Sequence, residues 1–89
     1  MSRKTYKSVA TFANKMRDKL DKNEHKGGWE GCSIHYLLSR IRDETAELTK
    51  ALIDGETESA LNECADVANF AMMIFDNLLI TQALRRQVK

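Results

Sequence analysis

Residues 43–66 read DETAELTKALIDGETESALNECAD, and their symmetry about one glycine decides the fold. Glu47 lies eight residues before Gly55 and Glu63 eight after it, while Glu44 and Asp66 lie eleven to either side. If Gly55 ends one helix and the next returns antiparallel, Glu47 comes level with Glu63, and Glu44 with Asp66. Within each pair a spacing of three puts both carboxylates on one helix face, about 60° apart. Four acids converging below a turn repel one another strongly unless a cation sits among them. The stretch therefore predicts a helical hairpin carrying a metal site of Glu44, Glu47, Glu63 and Asp66.

Outward from the hairpin, periodicity predicts an all-α chain of three helices. Tyr6, Val9, Phe12, Ala13, Met16 and Leu20 form a stripe at helical spacing, with lysines and arginines opposite, giving a first helix over residues 5–21. Asn23 to Gly31 is a polar loop containing glycines. Ser33 is placed to cap a second helix over residues 33–54, with Cys32 and Leu37 set for a hydrophobic staple, and Gly55 ends it. Thr57 can cap a third helix over residues 57–80, leaving 81–89 as a tail whose last residues fray. The carboxylates interrupt apolar faces: the stripe 34, 37, 41, 44, 48, 51 passes through Glu44, and the stripe 60, 63, 67, 70, 74 through Glu63. Unpaired carboxylates on such faces require a cation or a water-filled cleft.

From Val67 to Ile80 apolar residues surround the third helix on every side, more than two partner helices can cover. A homodimer or homotetramer with a four-helix core is the expected remedy. The stretch Ala65 to Ile80 is broken by Asp66, Asn69, Asp76 and Asn77, which makes a poor membrane span. The polar opening Met1-Ser2-Arg3-Lys4-Thr5 predicts no signal peptide, and two isolated cysteines, Cys32 and Cys64, read as reduced thiols of a cytoplasmic protein. The 89 residues carry a net charge of +1, unevenly: residues 1–26 sum to +5 and residues 27–84 to −7. Cations facing a metal-bound polyphosphate account for that division better than a solvated helix face.

Four carboxylate ligands favour Mg²⁺, with Mn²⁺ as a substitute, over zinc. His25 and His35 do not supply the Glu-x-x-His spacing of di-iron bundles. Mg²⁺ on a few carboxylates completes its shell with water and substrate phosphates, which suits attack of water on a phosphoanhydride. With no P-loop or dinucleotide fingerprint present, the acids would carry the chemistry.

Asp43-Glu44-Thr45-Ala46-Glu47-Leu48, then Glu63-Cys64-Ala65-Asp66-Val67, resembles the E-E-x-x-E and E-x-x-D pattern of MazG-type all-α nucleoside triphosphate pyrophosphohydrolases. His25-Lys26-Gly27-Gly28-Trp29-Glu30 is similar to the Trp-acid loop before helix two in that family. The loop, with Ala65-Asp66-Val67-Ala68-Asn69-Phe70, is similar to the short single-domain versions of phages and prophages, and the resemblance spans about residues 10–80. It implies Mg²⁺-dependent cleavage of a (d)NTP to monophosphate and pyrophosphate in a dimer or tetramer, with Glu44, Glu47, Glu63 and Asp66 binding the metal and one of them or a neighbour polarising water. Asp43 replaces the first glutamate of the family's pair, and Gly28 stands where many members have proline. Both leave substrate choice open.

On this reading Lys26 supplies a cation for the triphosphate, Trp29 an indole for sugar or base, and Asn69 a hydrogen bond to the nucleotide or to a water. The plainer reading of the loop is a connector with Trp29 plugged into the core. Two alternatives stand beside the pyrophosphohydrolase. One is an all-α dUTPase-like enzyme with the same metal logic. The other, ranked below it, is a non-catalytic helical module binding nucleic acid through Lys4, Lys7, Lys15, Arg17, Lys19 and Lys22.

Overall fold

In the computed structural model, which describes residues 2–87, three helices account for nearly all of the chain and no strand occurs among the described residues. Helix α1 spans Arg3–Lys22, α2 Ile34–Ile53 and α3 Thr57–Gln87, with a single 3₁₀ turn at Glu24–Lys26 between the first two. The chain is all-α, as the periodicity predicts.

The helix ends follow from local chemistry. Ser33 caps α2 as expected, its hydroxyl accepting from the Tyr36 N–H at 3.1 Å. Ser2 caps α1 in the same way, accepting from the Thr5 N–H at 3.1 Å, so α1 starts two residues before the predicted Thr5. At the far end of α2, the Glu56 N–H reaches the Ala51 carbonyl and the Gly55 N–H the Leu52 carbonyl. This paired ending needs a left-handed residue, and Gly55 sits at φ 70°. Thr57 is the first residue of α3 rather than its cap, and the Glu56 carbonyl receives the Ala60 N–H.

Helix α3 is longer than predicted. It continues through Gln87 instead of stopping at Ile80, which corrects the tail assigned to residues 81–87. The apolar pattern weakens after Ile80, but Gln82, Ala83, Leu84, Arg85, Arg86 and Gln87 are strong helix formers, and two arginines in the last turn complement the helix dipole. The fraying expected of Val88 and Lys89 lies outside the described residues.

Helix α3 is the spine, packing mainly against α2 and also against α1, while α1 does not pack on α2. The interior is small. Leu37, Ala51, Ala60 and Ala65 are the buried apolar residues, and alanines near the hairpin turn let α2 and α3 approach closely. Asn69 is the buried polar one, at 5% exposure, its Nδ2 donating to the Met16 carbonyl of α1 at 3.1 Å. The radius of gyration is 15.3 Å, against about 12 Å for a compact domain of this length. Phe75, Leu78, Leu79, Ile80 and Leu84 remain exposed along the second half of α3.

By length and composition α3 is apolar enough to cross a bilayer. Each polar interruption, however, is engaged by protein: Asp66 by Lys19, Asn69 by the Met16 carbonyl, Asp76 by Trp29, and Asn77 by two loop carbonyls. These four lie on one arc of the helix, and each fastens α1 or the loop to it. Cys32 and Cys64 are free and half-buried.

Candidate metal centre and cleft

The hairpin brings three of the four predicted acids together. Glu44 from α2 and Glu63 and Asp66 from α3 offer carboxylate oxygens that all lie within 4.8 Å of one another, and all three are half-buried. Glu47 is exposed and stands outside this group. The level register would have paired it with Glu63. Burial of Leu37 and Ala51 turns the 37–41–44–48–51 stripe inward, and a spacing of three carries Glu47 about 60° round from Glu44 toward solvent.

The electrostatics of the three acids differ. Glu63 is pushed from its ordinary 4.5 to about 7, first by its contact with Glu44, which accepts a hydrogen bond from the protonated form, then by partial burial and by the charges of Glu44, Asp66 and Glu47. In its ionised form Glu63 leaves Oε2 buried with no hydrogen-bond donor. Asp66 is raised chiefly by burial, with Lys19 opposing at 3.4 Å. Arg40 donates from Nη2 to Glu44 at 3.0 Å and from Nη1 to Asp43 at 3.0 Å, with its guanidinium 5.3 Å from the Phe70 ring centroid. Thus Glu44 and Asp66 each hold a protein cation, and Glu63 has no ion-pair partner among the described residues.

An all-oxygen donor set with one orphaned, buried carboxylate oxygen fits a hard divalent cation such as Mg²⁺ or Mn²⁺. The fit is to a site already partly neutralised, so a cation entering it competes with Lys19 and Arg40 for two of the three acids.

Asp66 also belongs to the wall of a cleft of about 590 Å³, within the usual range for small-molecule sites. The cleft is lined by Lys19, Lys26, Gly27, Gly28, Trp29, Tyr36, Arg40, Asn69, Phe70 and Met73 among others. Lys26, Trp29 and Asn69, the three predicted substrate contacts, therefore share one cavity with Asp66. Gly27 holds φ 86° and carries the loop around the cleft mouth. Trp29 combines both readings of the loop: its indole Nε1–H donates to Asp76 Oδ2 at 3.0 Å, as an anchor would, and its residue lines the cavity. Asn69 commits its Nδ2 to α1, and its Oδ1 is buried without a partner.

Sequence reasoning did not place Lys19, Arg40, Asp76 or Asn77 at this site. Arg40 was visible in principle, because it precedes Asp43 and Glu44 by three and four residues, the spacing of a helical ion pair. Lys19 and the two loop anchors join segments far apart in the chain, and no local pattern reveals them. Of the six cations considered for nucleic acid, Lys15 faces Glu58 at 4.0 Å, Arg17 donates to Asn14, and Lys19 holds Asp66.

Comparison of the chain with protein-family models, with curated proteins and with solved structures finds no match.

Proposed function

We propose that this protein is a Mg²⁺-dependent, MazG-like nucleoside triphosphate pyrophosphohydrolase that releases a (d)NMP and pyrophosphate. The carrying observation is the convergence of Glu44, Glu63 and Asp66 beside a nucleotide-sized cleft that Asp66 also lines. Glu44, Glu63 and Asp66 would hold the metal, with Glu47 within electrostatic reach at the rim. When bound, the ion would neutralise phosphate charge and polarise water.

The chain's own residues supply the rest. Lys19, Lys26 and Arg40 bring three cations to a cavity whose acids would otherwise repel a triphosphate. Trp29, Tyr36 and Phe70 offer aromatic surface for base or sugar. Glu63, raised to about 7 by its acidic neighbours while no cation is present, would give up its proton on ligating one, so metal binding would release a proton near neutral pH.

The working form in this reading is a homodimer or higher homo-oligomer. The chain exposes 7073 Å², against about 5,300 Å² for a compact monomer of its mass. The surplus is of the order that each subunit of an obligate dimer buries. The exposed apolar side of α3 lies where a second copy would complete a four-helix core.

The test is product analysis over a panel of dNTPs and NTPs with Mg²⁺. Monophosphate and pyrophosphate are expected, and the panel separates a broad enzyme from a uracil-selective one. Absence of hydrolysis on every nucleotide, or release of orthophosphate alone, would overturn the reading.

A further inference from the structure

The pair Asp76-Asn77 breaks the most apolar part of the chain, and the metal centre leaves it unused. Asp76 is half-buried, between the exposed Phe75 and Leu78 and one turn before Ile80, and it has no ion-pair partner among the described residues. A carboxylate in such surroundings is costly unless it is hydrogen-bonded. Its partner is the Trp29 indole, 47 residues away in sequence. The adjacent Asn77 Nδ2 faces two loop carbonyls, Trp29 O at 3.1 Å and Cys32 O at 3.3 Å. The loop's early part, Glu24–Lys26, packs on α1, and its later part is joined to the helices by these side-chain bonds.

We infer that Asp76 and Asn77 are positioning residues that latch the Lys26–Ser33 loop onto α3 and so fix Trp29 at the cleft wall, where it receives the base or sugar of the bound nucleotide. The inference rests on the nucleotide reading for the identity of the ligand, but the latch is a property of the chain itself. Its chemistry suits the task. An indole donates through its single edge N–H without engaging its ring faces, so the edge can be anchored at Asp76 while the half-buried residue lines the cavity. The bond to an ionised acceptor is of the stronger class. Two carbonyls on one amide hold the backbone on either side of the Gly31 bend. The latch also occupies the turn of α3 whose opposite side, at Phe75, Leu78 and Leu79, is the exposed apolar surface.

Trp29 is the single tryptophan, so its fluorescence and its one indole N–H resonance report on the loop alone. In the wild-type protein the indole proton should exchange with solvent at least about tenfold more slowly than in a free indole, as a charge-assisted bond would impose. Asp76→Leu removes the acceptor and should raise acrylamide quenching of Trp29. It should also raise KM for the preferred nucleotide about tenfold with little change in kcat. Asp76→Asn keeps an acceptor oxygen and should restore most of both. An unprotected indole proton in the wild type would overturn the latch even if the leucine variant failed to fold. Raised quenching with an unchanged KM would overturn its role in recognition. A wild-type protein inactive on every nucleotide would instead sink the pyrophosphohydrolase reading, and the indole exchange and quenching would then decide the latch by themselves.

Discussion

The two halves of α3 invert the usual rule of burial. From Thr57 to Phe70 the helix lies against α1 and α2 and places acids and an amide inside: Glu63 and Asp66 are half-buried and Asn69 is 5% exposed. From Ala71 to Gln87 it leaves large apolar side chains outside, with Phe75 63% exposed. Buried polar groups demand partners, and the first half finds some of them in Lys19, Glu44 and the Met16 carbonyl while leaving Glu63 Oε2 and Asn69 Oδ1 without one. Exposed apolar groups demand cover, and Phe75, Leu78, Leu79, Ile80 and Leu84 find little of it among the described residues. One helix therefore carries a cluster of half-buried acids towards one end and an exposed apolar surface towards the other, with Asp76 and Asn77 on the opposite side of that second half.

Breaking the first half should have the largest effect. Glu63→Gln preserves shape while removing the one acid of the trio without a protein cation, so hydrolysis should fall at least about 100-fold with helicity unchanged. Glu47→Gln, at the exposed rim, should cost less. Steady-state rates on the preferred nucleotide check both. Wild-type turnover in Glu63→Gln would remove the metal centre from the proposal, and an equal loss in Glu47→Gln would mean that Glu47 closes onto the other three when the ion binds.

Breaking the second half should dissociate subunits. Because Phe75 is exposed in the single chain, Phe75→Asp should leave the α1–α2–α3 packing intact and place an unpaired charge in the proposed subunit interface. Loss of one buried aromatic alone is worth about 1.5–3 kcal/mol, or roughly ten- to a hundredfold in the dissociation constant. Ile74→Asp, at a half-buried position, should damage the fold as well. Sedimentation or light scattering at micromolar concentration decides the matter, and a stable wild-type monomer would contradict it.

Acidity separates the halves in a third way. Glu63 ionises near 4.5 in the unfolded chain and near about 7 in the folded one, so the folded state holds the proton more tightly between those values. Its contribution to stability is fully present below about pH 4.5 and is lost as pH rises through about 7. Melting temperature in the absence of divalent ions should therefore decline across that window, and Glu63→Gln should flatten the decline. Added Mg²⁺ should restore stability on the alkaline side. A melting temperature indifferent to Mg²⁺ at pH 8 would count against the trio as a cation site.

The hairpin was legible because its signals are local. Gly55 at a helix end, Ser33 at a helix start and carboxylates at spacings of three each act within one or two turns of chain. The four-acid register was legible only in part: levels along the axes follow from counting and bring Glu44, Glu63 and Asp66 together, but the rotation that turns Glu44 inward and Glu47 outward depends on how Leu37 and Ala51 pack. The overrun of α3 past Ile80 reflects a pattern reading that tracked apolar residues, whereas helix propensity alone suffices to continue Thr81–Gln87. Lys19 at Asp66 and Asp76 at Trp29 are encounters between distant segments, which only the assembled fold displays.

The smallest effect concerns Lys26, which stands where the loop enters the cleft. It is exposed, has no ion-pair partner among the described residues, and lines the cavity that Asp66, Lys19 and Arg40 also line. Lys19 and Arg40 are already drawn toward the acids, so Lys26 is the cation freest to meet a phosphate. An exposed ammonium is well screened by water, and its attraction for a triphosphate oxygen is worth about a kilocalorie per mole or less. Lys26→Ala should accordingly lower kcat/KM by several-fold, more at low ionic strength than at high, and leave the melting temperature where it was. A loss that does not shrink with added salt would mean a direct, desolvated contact. No loss at all would leave phosphate recognition to Lys19 and Arg40, whose side chains would then have to leave Asp66 and Glu44 as the cation and substrate enter.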